Sequence, residues 1–357
     1  MGISAARDLE ALRHGFTRWL AARWPDAPGP VVAPVARPST GLSSETFFLE
    51  IDWSGGDAGD HAPPASLVAR LPPSGDGLFP VYDLPAQGRV QQVVARAGLP
   101  AVVPVAVEPD DTWVGAPFLL MPRVAGRVVR AEEPFLRRGW LAEASAGDQA
   151  RLHSDFLRLL ATLHRLDPTT VGPAAGLPGA GEPPGAVLGA EVERWARYLD
   201  WASEGDAPVV FSEALGWCRH HLPDPEPPPS LLWGDVQLGN VLVADDFSVA
   251  ALLDFEMASV GPAELDLAWF LVLHRMTVER CDGDLPGFPD AAATVEAYRE
   301  RLGRPLADLR WFEVFAALRS GAIMVRAARL LARLGVDDSW LLRGNPTVTL
   351  LGTLTAE

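Results

Sequence analysis

The spacing of apolar and polar residues divides the chain into a strand-rich first third and a helix-rich remainder. Apolar side chains recur at helical spacing over residues 3–24, which predicts an amphipathic helix. Every second residue from Phe47 to Trp53 is apolar, the period of a strand with one buried face. The pattern also predicts a helix over 84–97 and further short strands at 31–35, 66–71, 101–107 and 117–121.

Beyond Trp140 the pattern is helical. A stripe of apolar residues runs from Leu152 to Leu166, and a Pro/Gly/Ala-rich stretch over 168–188 predicts a flexible connector. A short buried strand is predicted at 250–253, and helices at 190–204, 210–222 and 264–274 with two more in 290–335. This order predicts a small β-rich lobe followed by a larger helical lobe.

Composition narrows the class of protein. The 357 residues are enough for about two domains, and 46 acidic against 30 basic residues give a net charge of −16. Such a chain is not expected to bind nucleic acid or an anionic membrane, whereas a cationic small molecule would be attracted. Its only cysteines, Cys218 and Cys281, form no metal motif and fit a reducing compartment. We therefore expect a cytoplasmic protein without a membrane span, and the oligomeric state stays open.

Three polar residues stand out between apolar segments. Asp235 and Asn240 lie on one predicted loop, and Asp254 follows a buried strand. Carboxylate and amide oxygens are ligands that Mg²⁺ prefers, and a remaining carboxylate can accept a proton. Phosphoryl transfer uses such a set. The plainer interpretation makes them ordinary turn residues and a strand cap, while a metal-dependent hydrolase would need a His-rich ligand set that the sequence lacks.

The same stretch resembles a known family. Residues 231–243 (LLWGDVQLGNVLV) and 251–256 (ALLDFE) resemble the H-G-D-x-x-x-x-N and [IL]-D-[FW]-[EG] motifs of the aminoglycoside phosphotransferases, which belong to the protein-kinase-like superfamily. Residues 264–269 (ELDLAW) resemble the D-L-A element of that family. The Trp-Gly-Asp variant is most similar to an actinobacterial branch near the acyl-CoA-dehydrogenase-10-like kinases.

The resemblance implies an α+β, protein-kinase-like two-lobed fold. Residues 1–120 would form the nucleotide-binding lobe, 121–126 the hinge, and 127–357 the helical lobe with the catalytic loop and acceptor site. It also implies that Asp235 accepts or orients the hydroxyl proton of the substrate, and that Asn240 and Asp254 bind Mg²⁺.

Neighbouring positions of the motif take supporting roles by the same resemblance. Asp266 would brace the catalytic loop through its backbone. Trp233 replaces the usual His, whose role is mainly packing. Glu256 replaces the glycine of the third kinase motif, as is common in the family, although a solvated turn acid explains it equally well.

The small lobe would hold ATP. The phosphate-covering loop is expected at Ser39, Thr40, Gly41, Ser43 and Ser44, although a plain hairpin turn also fits this segment. Because the chain contains no lysine, Arg70 is the expected phosphate cation, with Gln87 as its partner. The adenine would lie against the hinge residues Met121, Pro122 and Val124, with core packing an equal explanation for Met121.

The sequence thus predicts an ATP- and Mg²⁺-dependent phosphotransferase acting on a hydroxyl of a small molecule. A catalytically silent nucleotide-binding module is the alternative, favoured by Trp233 and by the missing lysine. Among the other polar residues, His164 is predicted to be structural. The series Arg326, Arg329 and Arg333 is predicted to be a solvated helix face, with a substrate-lining role as the alternative.

Overall fold

The computed structural model describes residues 7–27, 29–36, 43–53, 64–129, 135–183, 185–336 and 345–356. The chain divides into a smaller unit, Met1–Gln92 with Val102–Val124, and a larger unit, Val93–Ala101 with Ala125–Glu357. None of the described helices is both long enough and apolar enough to cross a membrane.

The smaller unit combines a helix with an antiparallel sheet. Along the chain come α1 (Leu9–Arg23), β1 (Val31–Val32), β2 (Glu45–Asp52), β3 (Ser66–Leu71), α2 (Leu84–Arg96), β4 (Ala106–Glu108) and β5 (Phe118–Pro122). The last turn of α2, from Val93, belongs to the larger unit. The strands lie in the order β1-β2-β3-β5-β4, and all neighbours are antiparallel. This is the helix, sheet and inserted helix that the hydrophobic pattern predicts.

The core of the smaller unit lies between α1 and the sheet. Phe47, Leu49 and Ile51 of β2 are buried, as their alternation predicts. Phe118 of β5 packs edge-on against Phe16 and Trp19 of α1, with ring centroids 5.2 and 5.0 Å apart. Edge-to-face packing of aromatic rings adds to the area that they bury, so these residues fix α1 on the sheet.

The larger unit is mainly helical. Its elements are β6 (Arg127–Val128), α3 (Ala146–His164), α4 (Pro168–Ala175), α5 (Val187–Ser203), α6 (Val209–His220), β7 (Pro229–Leu232), β8 (Val241–Val243), β9 (Val249–Leu252), β10 (Ser259–Pro262), α7 (Glu264–Cys281), α8 (Ala291–Leu302), α9 (Arg310–Arg333) and α10 (Pro346–Ala356). The strands form two small antiparallel sheets, β7 with β10 and β6-β8-β9. The long helix α9 contacts α5, α6, α7 and α10 and forms the centre of the core.

Helix α4 occupies the start of the predicted flexible connector. Asp167 caps the helix, its carboxylate accepting the N–H of Thr169 at 2.9 Å, and Pro168 stands in the first turn. Gly176 ends it in the left-handed region with φ of 70°. The prediction of a connector is therefore wrong for residues 168–175, because these caps outweigh the weak helix propensity of the Pro/Gly-rich stretch.

The arginine series on α9 is a solvated face only in part, because Arg333 is exposed and Arg326 is buried. Arg326 is only 4% exposed, and its guanidinium lies 4.3 Å from the ring centroid of Trp201. Arg326, Arg329 and Arg333 all pair with Glu204 at the end of α5. The prediction is wrong for Arg326 because the stem of an arginine packs well against an aromatic ring once its charge has a partner.

Candidate active site

Backbone hydrogen bonds to Asp266 hold the predicted catalytic loop. The loop follows β7, passes through a 3₁₀ turn at Leu238–Asn240 and leads into β8. Asp266, in the first turn of α7, is buried and accepts the N–H groups of Trp233 at 2.7 Å and Gly234 at 3.0 Å. The bracing expected of Asp266 is present. His164, which is predicted to be structural, is buried, with Nε2 3.0 Å from the same carboxylate.

Gly234 allows the loop to approach the segment after β9. Its φ is +90°, and a Cβ built there would lie 2.1 Å from the carbonyl oxygen of Met257. No other residue fits this position without moving the backbone. The neighbouring Trp233 is buried, and its Nε1 donates to the carbonyl of Leu253 at 2.8 Å. The tryptophan therefore links the loop to the residue before Asp254.

Three hydrogen bonds fix the carboxylate of Asp235. Its Oδ2 accepts from Gln237 Nε2 and from Asn240 Nδ2, each at 2.7 Å. Its Oδ1 accepts from Trp269 Nε1 on α7 at 3.0 Å. A carboxylate offers about four acceptor positions, so one direction on Oδ1 stays open to a hydroxyl group.

The electrostatic surroundings make Asp235 a stronger base than an ordinary aspartate. Burial raises its pKa, and the nearby carboxylate of Asp254 raises it further, while the bonds from Gln237, Asn240 and Trp269 act in the opposite direction. Asp254 itself has φ of +59°, which is uncommon outside glycine. Residues held in this region often belong to functional sites.

Asn240 and Asp254 supply the oxygen atoms that a magnesium ion would need. Asn240 uses its amide nitrogen for bonds to the backbone oxygen of Asp235, at 2.9 Å, and to the side chain of Asp235. Its Oδ1 is thereby left for a ligand. Within the described residues there is no group of three or more His, Cys, Asp or Glu that could hold a metal. Mg²⁺ commonly uses one or two protein ligands together with substrate phosphates, so this pair fits it.

The residues predicted to bind the nucleotide belong to the smaller unit. Ser39, Thr40 and Gly41 lie outside the described residues, whereas Ser43 and the buried Ser44 directly precede β2. Arg70 is buried on β3. Gln87 is buried on α2. No hydrogen bond joins these two side chains within the described part of the chain.

The predicted hinge follows the last strand of this unit. Met121 is buried and pairs with Val68, Pro122 ends β5, and Val124 is the last residue of the unit. Gln91 of α2 lies against Met121, with Nε2 3.3 Å from the sulfur. The adenine contacts of Met121, Pro122 and Val124 stay a prediction.

Sequence reasoning missed three residues around Asp235. Gln237 and Trp269 donate hydrogen bonds to it, and Arg319 of α9 donates from Nη2 to the carbonyl of Gly234 at 3.2 Å. Trp269 stands three positions after Asp266, so helical spacing already places both on one face. The signal for Arg319 is a cation among the apolar residues of α9, a feature that it shares with Arg326.

The comparisons with known proteins agree with this arrangement. Residues 34–304 match the model of the phosphotransferase enzyme family, APH. The chain belongs to this family. The match confirms the predicted family and, with it, the predicted class of enzyme, a phosphotransferase.

Curated relatives confirm the predicted branch. Acyl-CoA dehydrogenase family member 11 from Gallus gallus is 28% identical over 232 residues, covering 65% of this chain and 27% of the relative. The human protein of the same name is 24% identical, covering 67% of this chain and 28% of its own length. The chain thus spans about a quarter of the length of these curated relatives.

Solved structures confirm the kinase-like, two-lobed α+β fold. A Ralstonia eutropha protein assigned as an aminoglycoside phosphotransferase superposes with a TM-score of 0.66 at 20% identity, covering 98% of this chain and 99% of that one. The structure of APH(2″)-IIIa in complex with GDP and kanamycin gives a TM-score of 0.58 at 16% identity, covering 96% and 98%. At these identities the likeness concerns the fold alone.

Proposed function

We propose that the protein transfers the γ-phosphoryl group of ATP to a hydroxyl group of a small molecule in a Mg²⁺-dependent reaction. The observation that supports this most is the carboxylate of Asp235, which three hydrogen bonds hold beside Asp254. Phosphoryl transfer needs mainly positioning and charge stabilisation, and this loop supplies both.

Asp235 would orient the acceptor hydroxyl and take its proton. The open direction on Oδ1 accepts the O–H, while Gln237, Asn240 and Trp269 prevent rotation of the carboxylate. Its raised pKa brings it closer to neutral pH, which favours proton transfer as long as the group remains ionised. The oxygen that attacks phosphorus is then held at one fixed place.

Asn240 Oδ1 and the Asp254 carboxylate would hold Mg²⁺. When bound there, the ion supplies positive charge to the phosphate oxygens. The left-handed backbone of Asp254, after β9, and the two hydrogen bonds of Asn240 direct these oxygen donors. On the smaller unit, Arg70 would contact the α- and β-phosphates, Ser39, Thr40, Gly41, Ser43 and Ser44 would cover them, and Met121, Pro122 and Val124 would contact the adenine.

The acceptor is proposed to be a neutral or cationic hydroxyl compound. The excess of acidic residues, 46 against 30 basic ones, favours such a molecule over an anion. A structural neighbour was solved with both GDP and kanamycin, which supports a nucleotide donor and a small-molecule acceptor. A binding module without catalysis remains the alternative, and it would bind ATP without consuming it.

ATP should raise the melting temperature in Mg²⁺ and much less in EDTA, because a ligand that binds only the folded state stabilises it by mass action. Asp254→Asn should reduce this Mg²⁺-dependent shift. A thermal melt at an ATP concentration of roughly 100 times Kd should detect about 2.7 kcal/mol of added stability. Asp245→Asn, on an exposed residue of the β8–β9 turn, is the control and should behave like the parent. Equal shifts in Mg²⁺ and EDTA would argue against the metal site.

Arg70→Met should weaken ATP binding about 10- to 150-fold, because a charge-assisted phosphate contact is worth roughly 1.5–3 kcal/mol. Methionine keeps most of the apolar stem, so β3 should still fold. Arg70→Lys should recover only part of the affinity, since an ammonium lacks the planar fork. Arg96→Met, an exposed arginine at the end of α2, is the matched control. If all variants bind ATP equally well in a titration, Arg70 has no part in phosphate binding.

A further inference from the structure

Arg319 is a buried cation directly behind the catalytic loop. It lies in the middle of α9 and is 2% exposed. Its guanidinium carbon lies 4.7 Å from the ring centroid of Trp269 and 5.0 Å from that of Trp195, so the group contacts two indoles. Its Nη2 donates to the carbonyl of Gly234 at 3.2 Å.

These contacts reach Asp235 by two routes. Gly234 is the residue before Asp235, and Trp269 donates its indole N–H to Asp235 Oδ1 at 3.0 Å. The other indole, that of Trp195, donates instead to Glu191 at 2.9 Å. Arg319 therefore supports both the backbone and the hydrogen-bond donor that orient one carboxylate.

Several charged groups lie near this guanidinium. Glu191 and Arg194 of α5, which pair with each other, interact with it electrostatically, and so do Asp266 of α7 and Asp235. Burial lowers the pKa of Arg319 to about 10, which leaves it charged at neutral pH. Burying a cation costs desolvation free energy, so an apolar residue of similar volume would fill this space at a lower cost.

We propose that Arg319 is a positioning residue, whose guanidinium holds Trp269 and the Gly234 carbonyl so that Asp235 keeps one orientation. This inference rests on the proposed function of Asp235. A residue with only a packing role would leave the hydrogen bond from Trp269 to Asp235 unchanged when replaced by an apolar side chain of similar size.

Arg326 provides a matched control on the same helix. It lies two turns after Arg319, is also buried, and also stacks on an indole, that of Trp201, at 4.3 Å. Its ion pair is with Glu204, 3.5 Å away, at the end of α5. Replacing Arg326 therefore removes the same kind of buried, stacked cation from another place in the core.

The test follows the exchange of the indole N–H of Trp269 with solvent deuterium by NMR at one pH. Trp269→Phe identifies the signal. Because this N–H donates to Asp235 at 3.0 Å, its exchange rate reports how firmly that hydrogen bond is held. Exchange should be about three- to tenfold faster in Arg319→Met, the range that weakening one hydrogen bond gives. Arg319→Lys should lie between Arg319→Met and the parent, and Arg326→Met should match the parent.

Thermal melts establish that each variant is folded. If Arg319→Met does not fold, the comparison of Arg319→Lys with the parent decides, with faster exchange expected in the variant. Identical exchange rates for the parent and the Arg319 variants would overturn the inference, as would an equal change in Arg326→Met. A parent that fails to bind ATP would contradict the proposed function instead, and the NMR result does not depend on ATP.

Discussion

Asp235→Asn should lower kcat by about 10²–10⁴, because the amide keeps the shape of the carboxylate but cannot accept the hydroxyl proton. ATP affinity should stay close to that of the parent, since Asp235 is not placed against the nucleotide. The effect should therefore appear in turnover rather than in nucleotide binding. The measurement is ADP release on an acceptor identified by a mass-spectrometric screen of neutral and cationic hydroxyl compounds with ATP and Mg²⁺.

Asp245→Asn is the control for this experiment. It makes the same chemical change at an exposed aspartate of the larger unit, and turnover should be unaffected. Unchanged turnover in Asp235→Asn would assign the proton acceptor to another residue. A parent that binds ATP but phosphorylates no acceptor would favour the silent nucleotide-binding module.

Asp266→Ala should lower the free energy of unfolding by about 3–5 kcal/mol, because it leaves buried groups without their hydrogen-bond partner. The N–H groups of Trp233 and Gly234, together with His164, all lose the carboxylate. Water cannot replace it easily, since Asp266 is fully buried. Denaturant unfolding measures the loss.

The control for Asp266 is again an exposed acid. Asp245→Ala should stay within about 0.5 kcal/mol of the parent, as surface substitutions usually do. A loss below 1 kcal/mol in Asp266→Ala would show that the loop is held mainly by other contacts. Gly234, with its close approach to Met257, would then be the next residue to examine.

The positions of the motif residues could be predicted because they are local in sequence. Asp235 and Asn240 share one short loop, and Asp254 follows the next hairpin, so their separation is limited by few intervening residues. The alternation in β2 likewise reports directly which side chains face the core. For these elements, the periodicity and the spacing of residues carry most of the structural information.

The support for Asp235 could be predicted only in part. Trp269 shares a helical face with Asp266, and this spacing is visible in the sequence. Arg319 lies 84 positions after Asp235 in the chain, and only the packing of α9 against α5 and α7 brings it to the loop. No short-range pattern contains that information. The burial of Arg326 is not visible in the sequence for the same reason, since its partners Trp201 and Glu204 belong to a distant part of the chain, at the end of α5.

The most direct test of nucleotide-dependent phosphotransfer is a calorimetric titration of the parent protein with ATP in Mg²⁺. We predict saturable binding with one site per chain, weakened when EDTA replaces Mg²⁺ and weakened again by Asp254→Asn. This measurement needs no knowledge of the acceptor. The absence of heat from ATP binding at millimolar concentration, in a folded and monodisperse sample, would contradict the account.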